Sequence, residues 1–234
     1  MNILYISPSN GIGGAELSLS EIIEQASKRG HNVYAVLGYP KKGDTKLYDK
    51  IKKHCKGIFI IRQMRWHIPN KMTWYDRKIN YLHHIFLSGW HILPVIKMIR
   101  LIKKYKIDII HTNTVWGLDG LLAAKILNVP HIWHIRETIG NNNGSIVNFP
   151  FQNYPNFVCW FMDKLNSIVI ANSKYTASFE NMQEVLKNTH TSKIVITCSA
   201  LTIVYRIIEA IGIFLIIIEL RHPAEYDDLQ AVCQ

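Results

Sequence analysis

A chain of 234 residues, 48% hydrophobic and 19% charged, can bury the core of a large domain, and it carries no low-complexity tract of the disordered class. Its formal charge of +10 points to an anionic partner, whether nucleic acid, a phosphorylated small molecule or an acidic membrane surface, without choosing among them. Cys55, Cys159, Cys198 and Cys233 form no C-x-x-C pair, which argues against a zinc site or a disulfide framework and for a reducing cytoplasm.

Met1 and Asn2 run straight into an apolar stretch with no basic region or cleavage site, so no secretory signal is expected. The first strand is expected over Ile3 to Ile6. A turn with Gly11, Gly13 and Gly14 leads into a helix over Ala15 to Arg29, which places Leu17, Ile22, Ile23 and Ala26 at helical spacing and has Gly30 as its C-cap. Further strands are expected over Asn32 to Leu37, Ile58 to Ile61, Ile107 to Thr112, His131 to Ile135 and Ser167 to Ala171. Helices are expected over Thr45 to Lys56, Leu118 to Leu127 and Tyr175 to Lys187. Most of the strand runs are continuously apolar, as in strands buried on both faces. The alternation predicts an α/β fold, a Rossmann-like, doubly wound, mostly parallel sheet in one domain over residues 1–192.

Two segments break the alternation. From Arg62 to Lys106, Trp66, Trp74, Tyr75, Tyr81, Phe86 and Trp90 interleave with ten basic side chains, opposed only by Asp76. From residue 193 to 234 an atypical apolar tail follows. Arg206, Glu209 and Glu219 interrupt it, and its clean run from Ala210 to Ile218 is far short of the roughly 20 residues of a spanning helix. The tail reads as the start of a linker, a truncated remnant or the product of a shifted reading frame.

The glycine turn between first strand and first helix can bring backbone N–H groups up to an anion at a helix N-terminus, or can merely supply positive φ. The dinucleotide fingerprint fails, because Glu16 stands where glycine or alanine is needed and "AVLGYP" carries no ribose-binding carboxylate. The Walker pattern fails for want of G-K-[ST].

What the turn does contain is "GGAE", Gly13 to Glu16. Together with "DIIHTNTVWGLDGLLAAKILNVPHIWHIRE" (Asp108 to Glu137) and "SIVIANSKYTASF" (Ser167 to Phe179), it resembles the N-terminal domain of the retaining family 4 glycosyltransferases over residues 1–190. The resemblance implies the GT-B fold, two Rossmann-like domains facing each other across a cleft. It implies that the backbone at Gly13 and Gly14 approaches the donor's diphosphate and the acceptor, with Glu16 either touching ligand or serving the helix dipole. His134 takes the place of the family's cleft histidine and is the candidate catalytic residue. Arg136 is the candidate partner of a phosphate and Glu137 its orienter, with a structural ion pair as the alternative. Asn113 and Ser173 are candidate hydrogen-bonding groups at the rim, or helix caps. His111 and His131, inside apolar strands, read as core residues.

No metal and no cofactor are expected. The expected partners are a nucleotide-sugar donor and a lipid-linked or polysaccharide acceptor, with an anionic membrane surface for the basic aromatic segment and no nucleic acid. The resemblance ends at Lys193. The family's donor-binding domain, with its Arg/Lys pair and E-x7-E motif, finds no counterpart, and Glu209 and Glu219 stand in the wrong spacing and context. The expectation is a chain incomplete on its own, cytoplasmic or peripheral on the inner face of the membrane. Three readings stay open: a truncated transferase, an acceptor- or membrane-binding subunit of a split enzyme that docks a separate donor-domain subunit, and a non-catalytic binding module.

Overall fold

The computed structural model describes residues 1–63, 67–69, 92–136, 145–147, 168–172 and 194–196, and the structure below is that of these residues. Seven apolar runs become parallel strands: β1 (Asn2–Ser7), β2 (Asn32–Leu37), β3 (Gly57–Ile60), β5 (Ile109–Asn113), β6 (His131–Ile135), β8 (Ile168–Ala171) and β9 (Ile194–Ile196). Their spatial order is β3-β2-β1-β5-β6-β8-β9, every neighbouring pair parallel. The chain thus winds outward from β1 in one direction, then returns to wind outward in the other. The reversal falls between β1 and β5, where open α/β sheets hold ligands at the carboxyl ends of their strands. Two further short strands, β4 (His67–Pro69) and β7 (Ser145–Val147), pair antiparallel in a sheet of their own.

Helices cover both faces: α1 (Gly14–Lys28), α2 (Lys46–Ile51), α3 over 92–105 and α4 (Asp119–Leu127). Alternation along each strand splits the core in two. Ile3, Val33 and Ile109 join Leu19, Ile22 and Ile23 of α1 and Leu47 and Ile51 of α2 on one face. Leu4, Ile6, Val36 and Ile110 join Met98 and Ile102 of α3 and Ala123 and Ala124 of α4 on the other. Two buried faces explain why the strand sequences lack a period of two.

The expected fold is the observed one, a Rossmann-like, doubly wound parallel sheet with helices on both faces, and several details differ from expectation. The helix α3 lies inside the basic aromatic segment. Its buried stripe, Val95, Met98 and Ile102, recurs at three- and four-residue steps but is diluted by Lys97, Arg100, Lys103 and Lys104 on its outer side. β5 begins two residues after Ile107, because Ile107 is spent on closing α3: its N–H donates to the Ile102 carbonyl at 3.0 Å, with Lys106 at φ 48° in the left-handed position. α2 stops at Ile51, where His54 N–H turns back onto the Ile51 carbonyl at 2.9 Å. β4 and β7 are too short to leave a sequence signal, and β9 lies past residue 192, within the segment read as tail. The expected helix over Tyr175 to Lys187, the aromatic stretch and most of the tail lie outside the described residues.

The amino end of the sheet is tied by one side chain. Asn2 Nδ2 donates to the Tyr105 and Lys106 carbonyls at 3.0 and 2.9 Å, and Asn2 Oδ1 accepts from Asn32 Nδ2 at 2.7 Å. The Asn2 N–H donates to Asp108 Oδ2 at 2.7 Å.

Candidate functional site

At the carboxyl end of β1 the chain turns through Pro8 to Gly13 before entering α1. Gly11, Gly13 and Gly14 all have negative φ; positive-φ glycines among the described residues are Gly30 and Gly43. The glycines are therefore not explained by left-handed backbone. A side chain at Gly14 would meet nothing within 4 Å, so packing does not require glycine there either. What Gly14 leaves is open space beside the first N–H groups of α1, which have no acceptor within the helix. Glu16 serves the turn itself: its Oε2 accepts from Gly13 N–H at 3.0 Å, half of a capping box whose other half a glycine cannot supply.

The loop is clamped from the side by α2. Asn10, only 2% exposed, accepts from Leu47 N–H through its backbone carbonyl at 3.0 Å and from Tyr48 N–H through Oδ1 at 3.2 Å. It caps a helix 38 residues away in sequence.

Across the switch point, β5 and β6 bring four polar side chains to α1. Asn113 is fully buried at the end of β5; its Oδ1 accepts from Arg136 Nε at 2.8 Å and its Nδ2 donates to the Ala15 carbonyl at 3.4 Å. Arg136 Nη2 donates to Ser18 Oγ at 3.2 Å and stands 3.4 Å from His134 Nδ1. A guanidinium only donates, so His134 Nδ1 is the acceptor and the ring proton belongs on Nε2. That nitrogen is buried and meets no partner, as is Nε2 of His111, whose ring stands 5.5 Å from that of His134 and 5.3 Å from Tyr5.

Burial, then the Arg136 charge, then His111 push His134 down to about 2; burial, then Arg136 and His131 push His111 to about 3. Both rings are neutral at physiological pH. His131, driven to about 3 by burial, faces the other way, where its Nε2 and Thr112 Oγ1 lie 2.9 Å apart. His111 and His131 are core residues, 1% and 4% exposed, as their strand context suggests.

On the α4 side the loop after β5 is strained. Thr114 has φ 71°, unusual for a β-branched residue and costing about 1–3 kcal/mol. Its backbone is fixed by its own N–H to the His134 carbonyl and by Trp133 Nε1 to its carbonyl, both at 2.9 Å. Its hydroxyl is buried without a partner. Nearby, Gln63 Nε2 donates to the Ser7 carbonyl at 2.6 Å while Gln63 Oε1 is buried and unpartnered. Each orphaned atom costs about 1–3 kcal/mol.

Of the residues singled out in the sequence, Gly13, Gly14, Glu16, Asn113, His134 and Arg136 meet around the start of α1. Glu137 and Ser173 lie outside the described residues. Asn10, Ser18, Gln63 and Thr114 were not foreseen: each gains its role from a contact between distant elements or from a backbone angle that its residue type disfavours. No group of three or more His, Cys, Asp or Glu among the described residues is placed to hold a metal ion.

The model of Glycosyltransferase Family 4 matches residues 12–179, which span the glycine turn and the ends of β5, β6 and β8. The chain belongs to that family. No curated protein matches this family 4 chain in sequence. Among solved structures it is similar in fold to a glycosyltransferase from Rickettsia africae, with TM-score 0.52 and 18% identity over 100% of this chain and 50% of that one. It is similar also to Anabaena Alr3699/HepE in complex with UDP and glucose, with TM-score 0.51 and 19% identity over 84% of this chain and 44% of that one. A UDP-GlcNAc 2-epimerase from Neisseria meningitidis, bound to UDP-GlcNAc, gives TM-score 0.50 and 10% identity over 99% of this chain and 54% of that one. The chain spans about half the length of these structures.

Proposed function

We propose that this chain supplies the acceptor-side wall of a retaining glycosyltransferase cleft, in which a sugar passes from a nucleotide-sugar donor to a lipid-linked or polysaccharide acceptor. The observation that carries the reading is Arg136, a cation held at the switch point of the sheet by Asn113 Oδ1, Ser18 Oγ and His134 Nδ1, beside the open start of α1. A guanidinium and a helix N-terminus together suit a phosphate or diphosphate. Family membership and the Anabaena structure's UDP and glucose support a nucleotide sugar as the phosphate's carrier.

In this reading the backbone at Gly13 and Gly14 lets the ligand close on α1 and Glu16 keeps that turn in shape. His134 lines the cleft as a neutral group donating through Nε2 to a sugar hydroxyl, and its low affinity for protons makes it a poor proton carrier. The family resemblance adds Glu137 and Ser173 as further candidate ligand contacts. Stabilising a departing diphosphate calls for groups on both walls, so transfer would draw on a donor-binding domain facing this one, in the same protein or a separate subunit. The charge of +10 supports contact with an anionic membrane surface.

Calorimetric titration of the full chain with UDP and a UDP-sugar tests the reading. Arg136→Gln is expected to weaken UDP about ten- to a hundredfold, the worth of a charge-assisted hydrogen bond. Equal UDP affinity in wild type and variant, with both folded, removes Arg136 from the site.

A further inference from the structure

The helices on the two faces of the sheet carry their charges differently. Around α1 and α2 carboxylates stand among the lysines: Lys28 pairs with Glu24 and Lys52 with Asp49, each at 2.9 Å. On the other face neither α3 nor α4 exposes a carboxylate, since α3 contains none and Asp119 of α4 is fully buried. Leu93, Lys97, Arg100 and Lys104 follow one another at four- and three-residue steps, so they form one exposed stripe along α3, opposite the buried Val95, Met98 and Ile102. Among the described residues no ion pair engages these three cations. Like charges at such steps repel one another along a helix, a cost that an anionic partner would remove.

α3 runs antiparallel to the strands. Its last turn meets Asn2 at the amino end of the sheet through the Tyr105 and Lys106 carbonyls, and it is about as long as β1. Its first turn, with Ile92 60% and Leu93 48% exposed, therefore stands at the carboxyl edge, the edge that also carries Arg136 and the start of α1. A bilayer suits this face better than a nucleic acid does. The row of cations can meet several lipid phosphates at once, and the two apolar side chains fit between headgroups, whereas a phosphate backbone offers them nothing. Two such side chains supplement the charges and do not replace them.

We propose that the outer face of α3, with Lys97, Arg100 and Lys104 along it and Ile92 and Leu93 at its first turn, is the surface on which the domain lies against an anionic phospholipid bilayer. This deepens the membrane contact proposed above and rests on it. It assigns the contact to one helix and brings the binding edge of the sheet to headgroup level, which favours a lipid-linked acceptor over a soluble polysaccharide. Co-sedimentation of the full chain with phosphatidylglycerol vesicles at low salt tests it with two triple variants that lower the net charge equally. Lys97→Gln/Arg100→Gln/Lys104→Gln on α3 is expected to bind about a hundredfold more weakly than wild type, and Lys46→Gln/Lys50→Gln/Lys53→Gln at α2 within about fivefold of it. Glutamine is a good helix former, so both are expected to melt close to wild type. Lys97→Arg/Lys104→Arg, which keeps the charge, is expected to bind as wild type does. Equal losses in the two triple variants, or undiminished binding in the α3 variant, overturn the proposal. A DNA duplex that displaces wild type from the vesicles, and that the α3 variant no longer binds, overturns it in favour of nucleic acid. No vesicle binding by wild type counts against the membrane contact as a whole, and the UDP titration tests the Arg136 site independently of it.

Discussion

His111, His131 and His134 sit in neighbouring strands at 1%, 4% and 3% exposure, and each is held neutral, at about 3, 3 and 2. In the unfolded chain each titrates near 6.5, so between that value and the folded values the unfolded state binds more protons. Their contribution is therefore fully present above about pH 6.5 and lost as pH falls toward 3. Urea titrations over this window are expected to lose up to about 1.4 kcal/mol per pH unit for each histidine, and a flat profile would show that the rings reach water. At Arg136 the geometry predicts that lysine is no substitute. Nε and Nη2 serve Asn113, Ser18 and His134 from one planar fork, which a single ammonium cannot match. Arg136→Lys is expected to lose UDP affinity nearly as far as Arg136→Gln in the same calorimetric titration.

Among the elements, α2 depends on the loop in front of it. Asn10 satisfies the second and third N–H groups of this six-residue helix, and Thr45 makes no cap of its own. Asn10→Ala, which removes the side-chain acceptor of Tyr48 and keeps the backbone acceptor of Leu47, is expected to cost about 1 kcal/mol and to speed hydrogen exchange at Tyr48, while Asn10→Asp, which keeps the acceptor, restores both stability and protection. Exchange unchanged at Tyr48 in Asn10→Ala would remove the Asn10 side chain as the cap. A cap that arrives from 38 residues upstream leaves no local mark, which is why the sequence shows α2 but not what holds it. Strands β2 and β6 were legible to the residue because buried parallel strands concentrate Val, Ile and Trp between turn signals. α3 was hidden because its basic outer face outweighs a three-residue stripe. The site divides in the same way. His134 and Arg136 stand at a strand end where the topology already places ligands, whereas the positive φ of Thr114 runs against the preference of its residue type.

For the molecule as a whole, a charge of +10 on a domain whose described helices are none long and apolar enough to cross a membrane predicts a reversible, salt-sensitive surface interaction. The chain is expected to co-sediment with phosphatidylglycerol vesicles at low salt, to leave them in about 0.5 M salt, and to ignore phosphatidylcholine vesicles. Binding that persists in high salt would mean insertion of apolar groups instead. The topology also imposes a schedule on synthesis. β1 lies in the middle of the sheet, yet its partner on one side, β5, begins at residue 109, and Asn2 finds Asp108 across 106 residues. At about 5–20 residues per second the ribosome takes roughly 5–20 s to deliver that partner. Through that interval β1 can pair with β2 alone, one apolar edge stays open, and β1 waits for β5 before both of its sides are covered.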